Sequence, residues 1–148
     1  MSLHKKIEST IHSEIPLCKQ MGISIEKFDD EGLIAKAPLA PNINHKNSAF
    51  GGSLYNVCVI AGWSMVYGIL LQKDISAHVV IQHSNIDYRT AVTSEDIVAF
   101  CESPKDRVIE KFIKTFEKRG MSRIALVVKI MQNDELAVHF EGKYVIHT

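Results

Sequence analysis

The stretch Pro41-Asn-Ile-Asn-His-Lys-Asn-Ser-Ala-Phe-Gly-Gly-Ser-Leu54, continuing as Tyr55-Asn-Val-Cys-Val-Ile-Ala-Gly-Trp-Ser-Met-Val-Tyr-Gly-Ile-Leu-Leu71, decides how this chain reads. A loop rich in hydrogen-bonding side chains (Asn42, Asn44, His45, Asn47, Ser48) meets a double glycine, and an apolar run follows. Gly51-Gly52 admit a tight backbone turn that a side chain would resist. Leu54 to Leu71 is apolar almost all round, the pattern of a helix inside a core. Such a helix, expected over residues 52–72, opens with N–H groups that lack intrahelical partners and with the positive end of its dipole. A carbonyl oxygen that becomes negative during acyl transfer suits that end. So does a phosphate that is merely bound. The run is near membrane-spanning length, about 18 residues. Asn56, Gly62, Ser64 and Gly68 within it, and strand-like alternation on its flanks, favour a core helix instead.

Leu3, Ile7 and Ile11, spaced by four, predict an N-terminal helix within residues 1–14, which Pro16 breaks or redirects. Ile23–Phe28 and Leu33–Leu39 read as strands joined by the turn Asp29-Asp30-Glu31-Gly32. His78–Arg89 is rich in β-formers, and Asp96–Glu102 extends the sheet. Val108, Ile109, Phe112, Ile113 and Phe116 fall at helical spacing among charges, up to Gly120. Arg123–Met131 and Leu136–His147 form a hairpin across Gln132–Glu135. Residues 1–148 therefore predict one α+β domain, an antiparallel sheet wrapped around a long central helix. A helix this apolar needs cover on every side. The face that one sheet leaves open requires another helix or a second subunit, so a homo-oligomer is expected.

At 148 residues the chain can bury a core without staples. Lys+Arg and Asp+Glu are both 17, so net charge gives no argument for nucleic acid. Lys105, Arg107, Lys111, Lys114, Lys118, Arg119 and Arg123 make one region basic against Glu102, Asp106, Glu110 and Glu117. The reading is a solvated helix face with paired charges, the alternative a phosphate-binding patch. Cys18, Cys58 and Cys101 are odd in number and show no Cys-x-x-Cys, which points to reduced thiols. With no leader pattern at the start, a cytoplasmic protein is expected, bound to no membrane or nucleic acid. No Cys/His cluster has ligand spacing, and strict alternation puts His78 and His83 on opposite faces, so no metal is expected. No nucleotide-binding glycine fingerprint occurs, and no cofactor is expected.

The order of elements and the segment Asn44-x5-Phe50-Gly51-Gly52-Ser53-Leu54 resemble the hotdog fold of acyl-CoA thioesterases and acyl-carrier-protein dehydratases. Pro38-Leu-Ala-Pro-Asn-Ile-Asn-His-Lys46, the Phe-Gly-Gly-Ser-Leu segment and Ala61-Gly62-Trp63 are similar to the thioesterase-like family of the YiiD C-terminal half. That resemblance runs from Ile15 to His147. In YiiD-type proteins an acetyltransferase domain precedes this one, and here the domain is expected to stand alone. The resemblance implies a homodimer, often paired into a homotetramer, with active sites in clefts between subunits. It also implies a thioester substrate on coenzyme A or acyl carrier protein. By the same resemblance, Gly52 offers a backbone N–H to the thioester carbonyl, Gly51 shapes the turn, and Asn44 orients water. The chain departs from the pattern in two places. Many hotdog thioesterases carry an Asp or Glu two turns into the core helix. Here that position is near Val59, and no Asp or Glu lies between Gly32 and Lys73. Phe50 stands where many relatives have the His of a His-Gly-Gly turn.

Hydrolysis still needs a base. His45 is the first candidate, acting on a water held by Asn44, since imidazole titrates near neutrality. Its alternative role is to cap the loop. Ser48 and Ser53 read as turn and helix-start residues, and no Gly-x-Ser-x-Gly elbow activates either. His83, Asn85, Asp87 and Arg89 share one strand face by alternation. Asp87 is the nearest carboxylate outside the helix, facing either a partner's loop or solvent, and Arg89 suits a pyrophosphate. Cys58 and Trp63 read as core. Expected as catalytic are Asn44, His45 and Gly52; Phe50, Gly51, Ser53, Asp87 and Arg89 are expected to bind substrate. The expected activity is acyl-thioester hydrolysis. The alternatives are a non-catalytic acyl-thioester binder and a dehydratase, which needs a His paired with a carboxylate.

Overall fold

A computed structural model describes residues 1–148. Two helices open the chain, α1 (Leu3–Glu14) and α2 (Pro16–Met21). Pro16 takes the first position of α2, where its missing N–H leaves no helical bond unmade. The proline therefore redirects the chain into a second helix, which ends on Gly22 at φ 74°. The central helix α3 spans Gly51–Gln72, and α4 spans Asp106–Arg119, ended by Gly120 at φ 73°.

The six strands are β1 (Ser24–Phe28), β2 (Gly32–Pro38), β3 (His78–Tyr88), β4 (Asp96–Glu102), β5 (Met121–Gln132) and β6 (Glu135–His147). They form one sheet, ordered β1-β2-β4-β5-β6-β3, with every pairing antiparallel. Alternation along β5 is strict. Ser122, Ile124, Leu126, Val128 and Ile130 are buried, while Met121, Arg123, Ala125, Val127 and Lys129 are exposed. The result is the expected α+β architecture, the hotdog fold, with α3 held against the inner face of the sheet.

Small residues let α3 come close. A Cβ on Gly62 would overlap the Tyr144 phenol, and one on Gly68 would lie 2.6 Å from the Phe28 ring. Tyr144, fully buried on β6, donates its hydroxyl to the Val59 carbonyl at 2.7 Å. Helix and sheet are thus locked together at one hydrogen bond beside one missing side chain.

Cover of α3 is incomplete. Tyr55, Val59, Trp63 and Tyr67, spaced by four, remain half-buried beside β3. Trp63, expected in the core, instead sits on this border. Its indole N–H donates to the Val79 carbonyl at 3.0 Å, and its ring stacks on Tyr67 at 5.1 Å. β3 is an edge strand, paired with β6 on one side only. A bulge between Ile81 and His83 shifts its register by one residue. His78 and His83 therefore lie on the same outer face, contrary to the reading from strict alternation. His78 stacks on its cross-strand neighbour His147 at 5.2 Å.

The charge pairs expected around α4 are absent. The three ion pairs are Lys27–Asp29, Lys27–Glu31 and Lys36–Asp96, all on β1, β2 and their neighbours.

The seat of α3 makes two substitutions diagnostic. Gly62→Ala overpacks the contact and should cost about 1–3 kcal/mol. Tyr144→Phe loses only the hydroxyl bond and should cost about 1 kcal/mol. Urea unfolding of both variants checks the order: a Gly62→Ala protein as stable as wild type would mean that α3 does not rest where described.

Candidate functional site

The loop before α3 is held by its own side chains. Asn44 Oδ1 accepts the N–H groups of Lys46 (2.8 Å) and Ser48 (3.1 Å), and Asn44 Nδ2 donates to Ser48 Oγ at 3.0 Å. Its backbone N–H donates to the Ser48 carbonyl at 2.8 Å, and Asn47 turns the chain at φ 60°. The loop is therefore closed by Asn44 and Ser48. His45 has no such role: its side chain is exposed and makes no hydrogen bond within the chain. Asn44, in turn, has its Oδ1 and one Nδ2 hydrogen engaged within the loop.

The loop delivers the chain to α3 through Phe50, whose N–H donates to the Asn42 carbonyl at 2.8 Å. The first intrahelical bond runs from Leu54 N–H to the Phe50 carbonyl at 3.0 Å, and no side chain caps the helix. The N–H groups of Gly51, Gly52 and Ser53 are consequently left without partners in the chain. Gly52 is exposed, and the Ser53 hydroxyl bonds to nothing. Tyr88, at the end of β3, donates its hydroxyl to the Gly51 carbonyl at 3.0 Å and ties the turn to the sheet.

A groove of about 520 Å³ opens at this turn, between α2 and the first turns of α3. Leu17, Gln20 and Met21 form one wall, and Gly52, Ser53 and Asn56 the other, with Pro41, Asn42 and Phe50 between them. None of the nine lining side chains ionises. Asn42 is buried, and its Nδ2 donates to the carbonyls of Met21 (3.0 Å) and Pro38 (2.8 Å). Its Oδ1 has no partner in the chain.

Phe50, Gly52 and Ser53 are thus brought together on the groove, with Gly51 behind them. Asn44 and His45 stay in the loop and do not line it. Asp87 is not brought in: it lies on the outer face, across from His139, on the side away from α3. Arg89 is exposed just past the end of β3. The residue that meets the turn is Tyr88, one position from Asp87, because successive strand side chains point to opposite faces. Gln20, Asn56 and Tyr88 carry no motif, and Asn42, although inside the Pro38–Lys46 segment, has no role assigned by it. Only the position of Tyr88 at the end of a β-former run hinted at its direction.

Burial pushes all three thiols up: Cys18 to about 11, Cys101 to about 12, and Cys58 further in the same direction. None is a nucleophile at neutral pH. No three His, Cys, Asp or Glu side chains converge in a metal-binding group.

A single antiparallel sheet closed over one central helix, whose uncapped Gly51-Gly52 start opens on a groove, defines a hotdog protein. The chain belongs to the family described as "Putative thioesterase (yiiD_Cterm)", whose model matches residues 4–148. Among solved structures, it is similar to the protein OLEI01261 of Chlorobaculum tepidum TLS, of unknown function, at 35% identity and a TM-score of 0.93; the match covers 99% of this chain and 94% of that one. A "putative thioesterase" of Shewanella oneidensis is 28% identical with a TM-score of 0.84, covering 99% and 98%. Thioesterase HI1161 of Haemophilus influenzae shares the fold at 13% identity and a TM-score of 0.72, over 99% and 90%.

With all three thiols buried, a disulfide reagent such as DTNB should label none of them in the native protein within minutes. It should label three after denaturation. Fast labelling of even one native thiol would contradict the packing around Cys18, Cys58 and Cys101. The same silence would let the reagent report released coenzyme A directly.

Proposed function

We propose that this protein hydrolyses acyl thioesters carried on coenzyme A or acyl carrier protein, and that it works as a homodimer. The observation that carries the reading is the set of three unpaired amides at Gly51, Gly52 and Ser53, at the positive end of a 22-residue helix. A thioester carbonyl gains negative charge as water adds, and fixed donors stabilise it without reorganising. Gly52 N–H is the donor in this reading, held in place by the Tyr88–Gly51 bond. Membership of a thioesterase family supports it.

His45 is the base in this proposal. Its imidazole is free of internal bonds, on a loop that Asn44 keeps rigid, and imidazole serves acid–base chemistry at neutral pH. In this reading Asn44 positions His45 by closing the loop. Loop and groove are separate within one chain, and the cleft where they meet is formed with the second subunit. The half-covered stripe Tyr55, Val59, Trp63 and Tyr67 beside the open edge of β3 supports that arrangement. Location in the cytoplasm and independence of any cofactor belong to the same proposal.

One observation favours a second reading, binding without turnover: no carboxylate lies on α3, and the groove holds no ionisable side chain. A dehydratase would need a His paired with a carboxylate, and the groove has neither.

Chromatography of acyl-CoAs from short to long chain, incubated with the protein, tests the proposal. Hydrolysis is expected, and His45→Ala should lower kcat by about 10²-fold or more with the melting temperature unchanged, since the side chain is exposed. Gly52→Pro, which removes the donor in the first helical turn, should cost about 10²–10³ in kcat. A Cβ at position 52 would also displace the Phe50 ring, so Gly52→Ala, which keeps the N–H, is its control and should retain most of the activity. Saturable binding with no product would transfer the assignment to the second reading. Light scattering separately checks the subunit count: the mass should be at least twice 16.6 kDa, and a monomer would remove the shared cleft.

A further inference from the structure

The basic stretch of the sequence is laid out by α4 along a second groove, of about 640 Å³, between that helix and β5. Arg107, Lys111 and Arg119 repeat on one face of α4 at spacings of four and eight, and Arg123 of β5 lies across from them. β4 pairs with β5 only through Ala99–Cys101 and Val128–Ile130, so no strand adjoins the first half of β5 on that side. The floor there is apolar and open: Val108 is 37% exposed and Met121 47% exposed.

Three features give this groove a preference. No carboxylate lines it, and none of its four cations belongs to an ion pair. Asp106 and Glu110 lie on a different cleft, against the far end of α3, so α4 segregates its charges by face. The cations are also strung out. From Arg107 to Arg119 is about 18 Å at 1.5 Å per residue. A single phosphate is held by donors that converge on it. A line of cations over an apolar floor instead matches carboxylates repeated along a helix, with apolar side chains on the adjoining face. A nucleic-acid backbone would use the cations and not the floor, and the chain's zero net charge adds no field to attract it.

We infer that the α4–β5 groove is a docking surface for an acidic amphipathic helix of a partner protein. It shares no residue with the Gly52 groove, so it does not rest on the hydrolase reading.

The probe is a fluorescent, helix-stabilised peptide with Glu at every fourth position and Leu on the adjoining face, titrated into the full chain and read by anisotropy. Saturable binding is expected, weakening about tenfold between about 0.03 M and about 0.3 M salt as screening sets in. Exchanging each Glu for Lys in the peptide should abolish binding. The double variant Arg107→Glu/Lys111→Glu should bind at least tenfold more weakly, with its melting temperature and its handling of acyl-CoA unchanged. The milder Arg119→Gln should weaken binding without reversing charge. The inference is overturned by no binding, by binding indifferent to salt, or by full affinity in the folded double variant. Tighter binding of a single-stranded oligonucleotide, lost in the same variant, would overturn it too and give the groove to nucleic acid.

Discussion

The position of α3 depends on the contact between Gly62 and Tyr144. A buried tyrosine needs a partner for its hydroxyl, and Tyr144 finds it in the Val59 carbonyl. To reach that carbonyl the ring must pass where a side chain at position 62 would stand, so the glycine and the tyrosine require each other. Gly142 makes the same concession on β6, where a Cβ would lie within 3 Å of both the Phe140 and Tyr144 rings. The contact fixes how far along the sheet the helix sits. The Gly51 turn lies eleven residues upstream of Gly62, roughly 16 Å along the axis. That placement brings Gly51 under the hydroxyl of Tyr88. A slip of one helical turn would part them, so a core contact sets the geometry of the exposed groove.

The start of α3 runs against ordinary helix chemistry. Ser, Thr, Asp or Asn at the cap would satisfy a free N–H and add about 1 kcal/mol of stability. The capping position is Phe50 instead, and Ser53, the nearest hydroxyl, bonds to nothing. Polar side chains are plentiful just upstream, yet Asn44 and Ser48 spend theirs on each other and on the loop. Asn42 is buried with its amide aimed at Met21 and Pro38. The loop is rigid while the helix end is left open. A local rule broken inside an otherwise consistent fold is expected where function needs the unmet groups.

Much of this fold was legible because its long elements repeat a clear period. The apolar run of α3, the spacing of Ile7 and Ile11, and the β5–β6 hairpin all follow from local pattern. What escaped depends on one-residue shifts or on distant partners. Pro16 reads as a stop unless its place at the start of a second helix is known. The bulge beside Gln82 reverses parity, which returned His83 to the face of His78. Asp87 and Tyr88 differ by one position, enough to put them on opposite sides of the sheet, and only Tyr88 reaches the start of α3 within the same chain. At the site, the double glycine marked where α3 begins, but not through backbone freedom: both glycines lie in the first helical turn and neither has a positive φ. The division of labour between Asn44 and His45 was not legible, since either side chain could have closed the loop. The cations of α4 looked paired in sequence because opposite charges alternate there; helical geometry sorts them onto different faces.

The two edges of the sheet are treated unequally. β1, at one edge, is five residues long, kinked by a bulge between Ile25 and Lys27, and carries a lysine that is paired with Asp29 and Glu31. Short length, a bulge and a charged side chain are the usual ways to keep an edge from pairing. β3, at the other edge, runs for eleven residues with no lysine, arginine or proline, and only its bulge interrupts it. Its free side borders the aromatic stripe of α3, where Tyr55 is held by Ser84 at 2.7 Å and Trp63 by the Val79 carbonyl. Backbone groups without partners and apolar rings without cover therefore occur together, on one border of the molecule and not the other. A second copy added along β3 would satisfy both at once, whereas a loop or ligand over the stripe would leave the strand edge open. For that reason the proposed dimer belongs on β3, and the thioester cleft is best sought between two copies of the chain.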